Sequence, residues 1–163
     1  MRLRRDFEYA LIALLAMSEI GRVVSSRELA EGFNIPLSLL RKIFHQLNRK
    51  GLIEAVRGPK GGFRLRRPLS ELSLQEVVES LSGPVSLVAC LRSEQSERSE
   101  RSEPCDQEEI CNIRHNMHAL QGLMSDFLAS LTVEQFGRLQ YDKNAGRYRG
   151  RRESRPAEKR ATA

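Results

Sequence analysis

No stretch of this 163-residue chain approaches the ~20 apolar residues that a membrane-spanning helix requires. The N-terminus has no apolar h-region followed by a cleavage site, so a secretory leader is not expected and a cytoplasmic location is. His-Glu-x-x-His, Gly-x-Ser-x-Gly and a glycine-rich phosphate loop are all missing. The three histidines, His45, His115 and His118, lack metallohydrolase spacing. An enzyme, a zinc hydrolase included, is therefore not expected. Cysteine is scarce: Cys90, Cys105 and Cys111 are the only three. An odd number in a chain without an export signal argues against a disulfide framework. Apolar residues make up 40% of the chain, a little low for a compact protein and a sign of non-globular segments.

The net charge of +6 averages three unlike regions. Residues 1–67 hold 14 basic and 6 acidic side chains and carry +8, whereas residues 68–142 hold 5 and 13 and carry −8. Residues 143–163 hold 8 basic and 2 acidic, which alone equals the surplus. A basic N-terminal unit ahead of an acidic one suggests a nucleic-acid-binding head joined to a second unit with another task.

In residues 6–20, Phe7, Leu11, Leu14 and Met17 recur at helical spacing until Gly21 stops the run. Ser25 and Glu28 stand at capping-box spacing and open a short helix ending near Gly32. Asn34-Ile35-Pro36 follows, with Pro36 suited to the first turn of another helix. That helix is expected to run to about Asn48 on a buried face of Leu37, Leu40, Ile43, Phe44 and Leu47, with Gly51 as its stop. Two helices joined by so short a turn, behind a supporting helix, predict a helix-turn-helix. Residues 52–57 and 63–67 are strand candidates flanking Gly58-Pro59-Lys60-Gly61-Gly62, a hairpin tip that completes a winged helix-turn-helix.

In that geometry the N-terminal residues of the second helix enter the major groove of double-stranded DNA. Its exposed face offers Ser38, Leu39, Arg41, Lys42 and His45. Arg41 suits a guanine edge and Lys42 a phosphate. Arg57 and Lys60 on the wing are placed for the backbone or a narrow minor groove.

Ser73 and Glu76 make a second capping box, opening a helix through Leu81 that Gly83-Pro84 ends. Beyond Cys90, residues 93–103 repeat Ser-Glu-Arg with nothing apolar to bury, so a mobile surface loop is expected. From Ile110 a long helix is expected, because Ile110, Ile113, Met117, Leu120, Met124, Phe127 and Leu131 form a heptad seam. The upstream fold leaves little apolar surface for so long a stripe, so the seam predicts a homodimer. Two reading heads would then meet a pseudo-palindromic operator. The three cysteines fall between head and seam, beside Pro104 and polar residues, which is not a core setting. They point to a metal or iron–sulfur site rather than three buried thiols. Cys111, at the expected start of the long helix, is placed where the helix dipole favours a thiolate.

These residues resemble the Rrf-two family of winged-helix regulators, in the branch of the iron–sulfur repressors IscR and NsrR. The resemblance covers residues 1–139. It rests on Met1-Arg2-Leu3 with Tyr9-Ala10, Ile35-Pro36-Leu37-Ser38, Lys50-Gly51-Leu52-Ile53, the wing Val56–Phe63, the three cysteines and Leu131-Thr132-Val133. It implies that Cys90, Cys105 and Cys111 hold an iron–sulfur cluster whose state controls DNA affinity, 2Fe–2S being favoured over 4Fe–4S. Fourteen residues separate Cys90 from Cys105, longer than the family's usual loop. The position of the IscR-type histidine holds Arg114, and His115 lies about 100° further round the helix. His118 is a full turn beyond Arg114. The NsrR type instead takes an acidic ligand from the partner subunit, and Glu8 stands at the matching position.

The expected architecture is mainly α with a small β-hairpin wing. Residues 1–82 form the winged head, 83–109 the cysteine-bearing loop, 110–139 the dimerisation helix and C-terminal turn, and 140–163 a basic disordered tail with an auxiliary, salt-sensitive grip on DNA. The expected function is that of a dimeric repressor sensing redox state, nitric oxide or cluster supply. The alternative is a regulator without a cluster, controlled by thiol oxidation or by a protein partner.

Overall fold

Helix α1, Arg5–Ile20, buries Ala10, Leu11, Ala13, Leu14, Ala16 and Met17. Three of these six are alanines, which let neighbouring elements approach closely. Gly21 ends it at φ +65°, donating its N–H to the Met17 carbonyl at 3.1 Å. The computed structural model describes residues 5–59, 61–87, 110–142 and 147–150. Lys60, Cys90, Cys105, the Ser-Glu-Arg repeat and residues 151–163 lie outside the described residues.

Helix α2, Ser26–Gly32, starts at the expected N-cap, where the Ser25 hydroxyl accepts the Glu28 N–H at 3.1 Å. Only that half of the capping box is seen, because the Glu28 carboxylate pairs with Arg22 instead. Asn34, in the left-handed region at φ +51°, turns the chain, a conformation that asparagine tolerates. Helix α3, Leu37–Arg49, follows at once. Pro36 is its N-cap rather than a first-turn residue, and the Pro36 carbonyl accepts the N–H groups of Leu39 and Leu40 at 3.0 Å. Leu40, Ile43, Phe44 and Leu47 are buried as expected, but Leu37 only in part.

Strands β1, Ile53–Val56, and β2, Gly62–Leu65, pair antiparallel with Ile53 opposite Leu65 and Val56 opposite Gly62. The wing does not stand alone. Val24 and Phe63 exchange both backbone hydrogen bonds at 2.8–3.0 Å, fastening β2 to the segment between α1 and α2. Gly62 permits this, since a Cβ there would lie 2.3 Å from the Val24 carbonyl oxygen.

A single 3₁₀ turn, Leu69–Glu71, leads into α4, Leu74–Ser82, whose Ser73–Glu76 capping box is formed in both directions. The long helix α5 is Arg114–Ser130, so it starts four residues later than the seam suggests. Ile113 is its N-cap and supplies no side-chain hydrogen bond, leaving nothing polar to nucleate an earlier turn. Helix α6, Val133–Gly137, is capped by a third box, Thr132 with Gln135.

Its residues belong to the core of the head: Val133 is fully buried beside Leu72, whose carbonyl accepts the Val133 N–H at 2.8 Å. The chain thus returns to the N-terminal unit, and residues between Phe7 and Leu81 share one core with Leu128, Leu131, Val133 and Phe136. Beyond it, β3, Leu139–Asp142, pairs antiparallel with β4, Arg147–Gly150. This hairpin corrects the expectation of disorder from residue 140. Charge composition disfavours a packed core, but it does not prevent local backbone pairing.

Candidate nucleic-acid interface and sensor site

Helix α3 divides cleanly into two faces. The four buried apolar residues lock it to α1 and α4, while Ser38, Arg41, Lys42 and His45 are exposed and Leu39 is half-buried. The ring of Phe44, fully buried, meets that of Phe63 edge-to-face at 4.8 Å and 68°. With the Val24–Phe63 bonds, this contact sets the wing and α3 as one rigid unit, the pre-organisation that groove reading requires. Arg57 lies exposed at the end of β1. Arg64 is committed to its cross-strand partner Glu54, so it is less available to a phosphate. Arg27, exposed in the first turn of α2, sits on the helix that crosses the DNA backbone in this motif, and its signal was simply a basic residue after the N-cap. The Phe44–Phe63 contact had no signal in residue spacing.

Two charge pairs shape the head away from α3. The Arg22 guanidinium, through its hydrogen bond and charge, holds the Glu28 carboxyl below the usual range. At Glu76, burial opposes ionisation. The Ser73 N–H, the Arg67 guanidinium and the Ser73 hydroxyl outweigh it and keep the carboxyl below its ordinary value.

Of the expected sensor residues, Cys111 and Glu8 are described. Cys111 is half-buried two residues ahead of the α5 N-cap, hence outside the helix it was expected to begin. Glu8 is exposed in the first turn of α1, a position open to another subunit. His115 and His118 are exposed on α5, and Arg114 is half-buried at its first position. Among the described residues no three His, Cys, Asp or Glu side chains gather in a group able to hold a metal ion.

The seam is uncovered at Ile110, Ile113, Leu120 and Phe127, the last 64% exposed, and half-buried at Met117, Met124 and Leu131. Leu123, beside it on α5, is 68% exposed. Beneath Leu123 and Phe127 lies an apolar cavity of about 480 Å³, lined also by Phe7, Leu74, Met124, Leu128 and Phe136. Among the described residues no helix is long and apolar enough to cross a membrane.

Residues 3–138 match the family described as Rrf2, iron-dependent transcriptional regulator. The chain belongs to the Rrf2 family. Its relatives are named as transcriptional regulators, a function that is not enzymatic. It is 32% identical over 151 residues, 90% of each chain, to the HTH-type transcriptional regulator ORF2 of Azotobacter vinelandii. With the HTH-type transcriptional regulator IscR of Cereibacter sphaeroides it shares 37% identity over 90 residues, 53% of this chain and 58% of that one. The solved structure of CymR, the global cysteine regulator of B. subtilis, superposes with a TM-score of 0.60 at 19% identity. It covers 83% of this chain and 95% of that one, and establishes the shared fold. The winged head described above is therefore the DNA-binding unit of an Rrf2 regulator, and the hairpin β3–β4 lies just past the Rrf2 match.

Proposed function

We propose that this Rrf2 regulator is a homodimeric repressor. It reads a pseudo-palindromic operator with Ser38, Leu39, Arg41 and Lys42 of α3 and with Arg57 and Lys60 of the wing. The observation that carries this reading is the two-faced α3: a fully buried apolar side, locked to the wing through Phe44 and Phe63, behind an exposed basic and polar side. The second copy of α5 is the occupant of the exposed seam. The Leu123–Phe127 surface is continuous with the apolar cavity, and burying it against an identical face gives the isologous contact of a two-fold dimer.

For the signal, three thiolates from one chain are a donor set suited to iron–sulfur ligation, and the family description names iron. Cys90, Cys105 and Cys111 would hold the cluster, with Glu8 of the partner subunit as the fourth ligand. Such a cluster, 2Fe–2S rather than 4Fe–4S in this reading, supplies chemistry sensitive to oxidants, nitric oxide and iron supply. Glu8, exposed at the start of α1, can reach outward to another subunit, and a carboxylate on soft iron is a labile ligand. Protein purified without oxygen should be coloured and contain iron, and Cys105→Ala should bleach it; a colourless, iron-free preparation would sink the cluster. Glu8→Ala should alter the spectrum or its lifetime without altering the fold.

The likeness to CymR favours a second reading, in which the same cysteines act as a thiol switch or the regulator answers to a protein partner. A mass shift after mild oxidation of iron-free protein, with a matching change in DNA affinity, would select it.

A further inference from the structure

Residues 81–87, from the last turn of α4 onward, are held at both ends by glutamine side chains that come from the two functional helices. Gln121 is the single buried residue of α5, 4% exposed in a helix whose apolar seam is open to solvent. Its Oε1 accepts the backbone N–H of Leu87 at 3.3 Å. Gln46, on α3, donates from Nε2 to the Leu81 carbonyl at 3.4 Å, one of the last carbonyls of α4 that lack an intrahelical partner. Between these two points Gly83 turns the chain at φ +77° and Val85 is buried.

The Gln46 amide is also left half-used. Its Oε1 is buried with no hydrogen-bond partner among the described residues. Turning the amide over would set that oxygen against the Leu81 carbonyl, acceptor against acceptor, so the orientation is determined and the orphan remains. A leucine would fill a similar volume, removing the orphaned Oε1 while leaving the Leu81 carbonyl without its donor, so the two changes offset and the amide contributes mainly direction at this site.

The placement along the chain matters as much as the bonds. Leu87 is three residues before Cys90, and Gln121 lies on the helix that begins three residues after Cys111. The Leu87–Gln121 bond therefore joins the two limbs that lead into the cysteine site. The Gln46–Leu81 bond ties the near end of the same strap to the helix that faces DNA. We propose that Gln121 and Gln46 are positioning residues that couple the cysteine site to α3 through residues 81–87. Gln121 registers the strap against α5, and Gln46 passes its displacement to α3. The proposal rests on the sensor reading above.

The test uses the full chain, loaded anaerobically with ferrous iron and sulfide or stripped with a chelator. Affinity is measured in both states for a duplex from upstream of its own gene. The wild type should show a ratio of about tenfold between the states. Gln46→Leu and Gln121→Leu should each shrink it to about twofold or less, with iron content and melting temperature unchanged, whereas Gln121→Glu keeps an acceptor for Leu87 and should keep the ratio. Hydrogen exchange gives a readout independent of loading. The Leu87 amide should be protected in the wild type and in Gln121→Glu, and exposed in Gln121→Leu. A full ratio in Gln46→Leu, or an unprotected Leu87 amide in the wild type, would overturn the coupling role while leaving the sensor intact. A wild-type ratio of one would remove the sensor reading and this inference together.

Discussion

Helices α3 and α5 are both amphipathic and bury opposite things. Over 13 residues α3 buries four apolar side chains and leaves polar ones exposed. Over 17 residues α5 buries one glutamine and leaves Leu120, Leu123 and Phe127 exposed. Each such apolar side chain is worth about 1.5–3 kcal/mol when removed from water. Helix α3 has collected that stabilisation within one chain, and α5 has not. An apolar stripe in a sequence shows that a helix packs, but not against whose surface.

The sharpest way to break the contrast is to damage each helix at its apolar face. Phe44→Ala removes a fully buried ring and its edge contact with Phe63, and should lower the stability of the head by about 3–5 kcal/mol in urea denaturation. The loss should be the same at every protein concentration. Leu123→Asp with Phe127→Asp should leave the circular dichroism of the head intact and split the proposed dimer in sedimentation velocity. Each anchor is worth about 2 kcal/mol or more, some thirtyfold in dissociation constant. A double variant that sediments like the wild type would show that α5 is not the interface.

The same contrast explains what could be read in advance. The span of α3 and its main core residues followed from periodicity because its partners are local. For α5 the heptad seam continues to Ile110, but a seam reports a surface and not a hydrogen-bonded turn; with no capping side chain at Ile113 the helix starts at Arg114. The half-formed box at Ser25 turned on Arg22, six residues upstream of Glu28 and outside any capping motif. The Thr132–Gln135 box did have the legible spacing, yet nothing local told that α6 folds back under Leu72. In the hairpin after Gly137, backbone register pairs Tyr141 with Tyr148, an arrangement that composition does not encode. For the site, exposed Arg41 and Lys42 were legible from helical phase. The two glutamines were not, because their partners are backbone groups 34 and 35 residues away in sequence.

On the solvent side of α3, smaller effects separate base reading from phosphate holding. Arg41→Ala should cost about 1–3 kcal/mol on the preferred operator and relax discrimination at one base pair. Lys42→Ala should weaken all duplexes alike and reduce the slope of log affinity against log salt by about one. Quantitative gel shifts over a salt series and a panel of single-base operator changes read both. Exchanged behaviour would exchange the two roles. Removing residues 143–163 deletes β4 together with the basic surplus and should also act uniformly across duplexes; a change of site preference would give that segment a reading role.

The smallest effect tests whether acid finds the head before it finds the seam. Glu76, bonded to Ser73 and Arg67, has its carboxyl held below its ordinary value of 4.5. A depressed folded-state pKa contributes stability that is whole above that ordinary value and is lost as the pH falls through the lower folded one. The contribution is below about 1 kcal/mol, because Arg67 and Glu76 are both partly exposed to solvent. Melting temperatures of the wild type and Glu76→Gln should therefore differ at neutral pH and converge in acid. The exposed side chains Leu120, Leu123 and Phe127 do not titrate, so Glu76→Gln should leave the pH dependence of the proposed dimer as it is in the wild type. If the curves coincide at every pH instead, the capping box contributes through shape alone, and a neutral amide at position 76 replaces the carboxylate without loss.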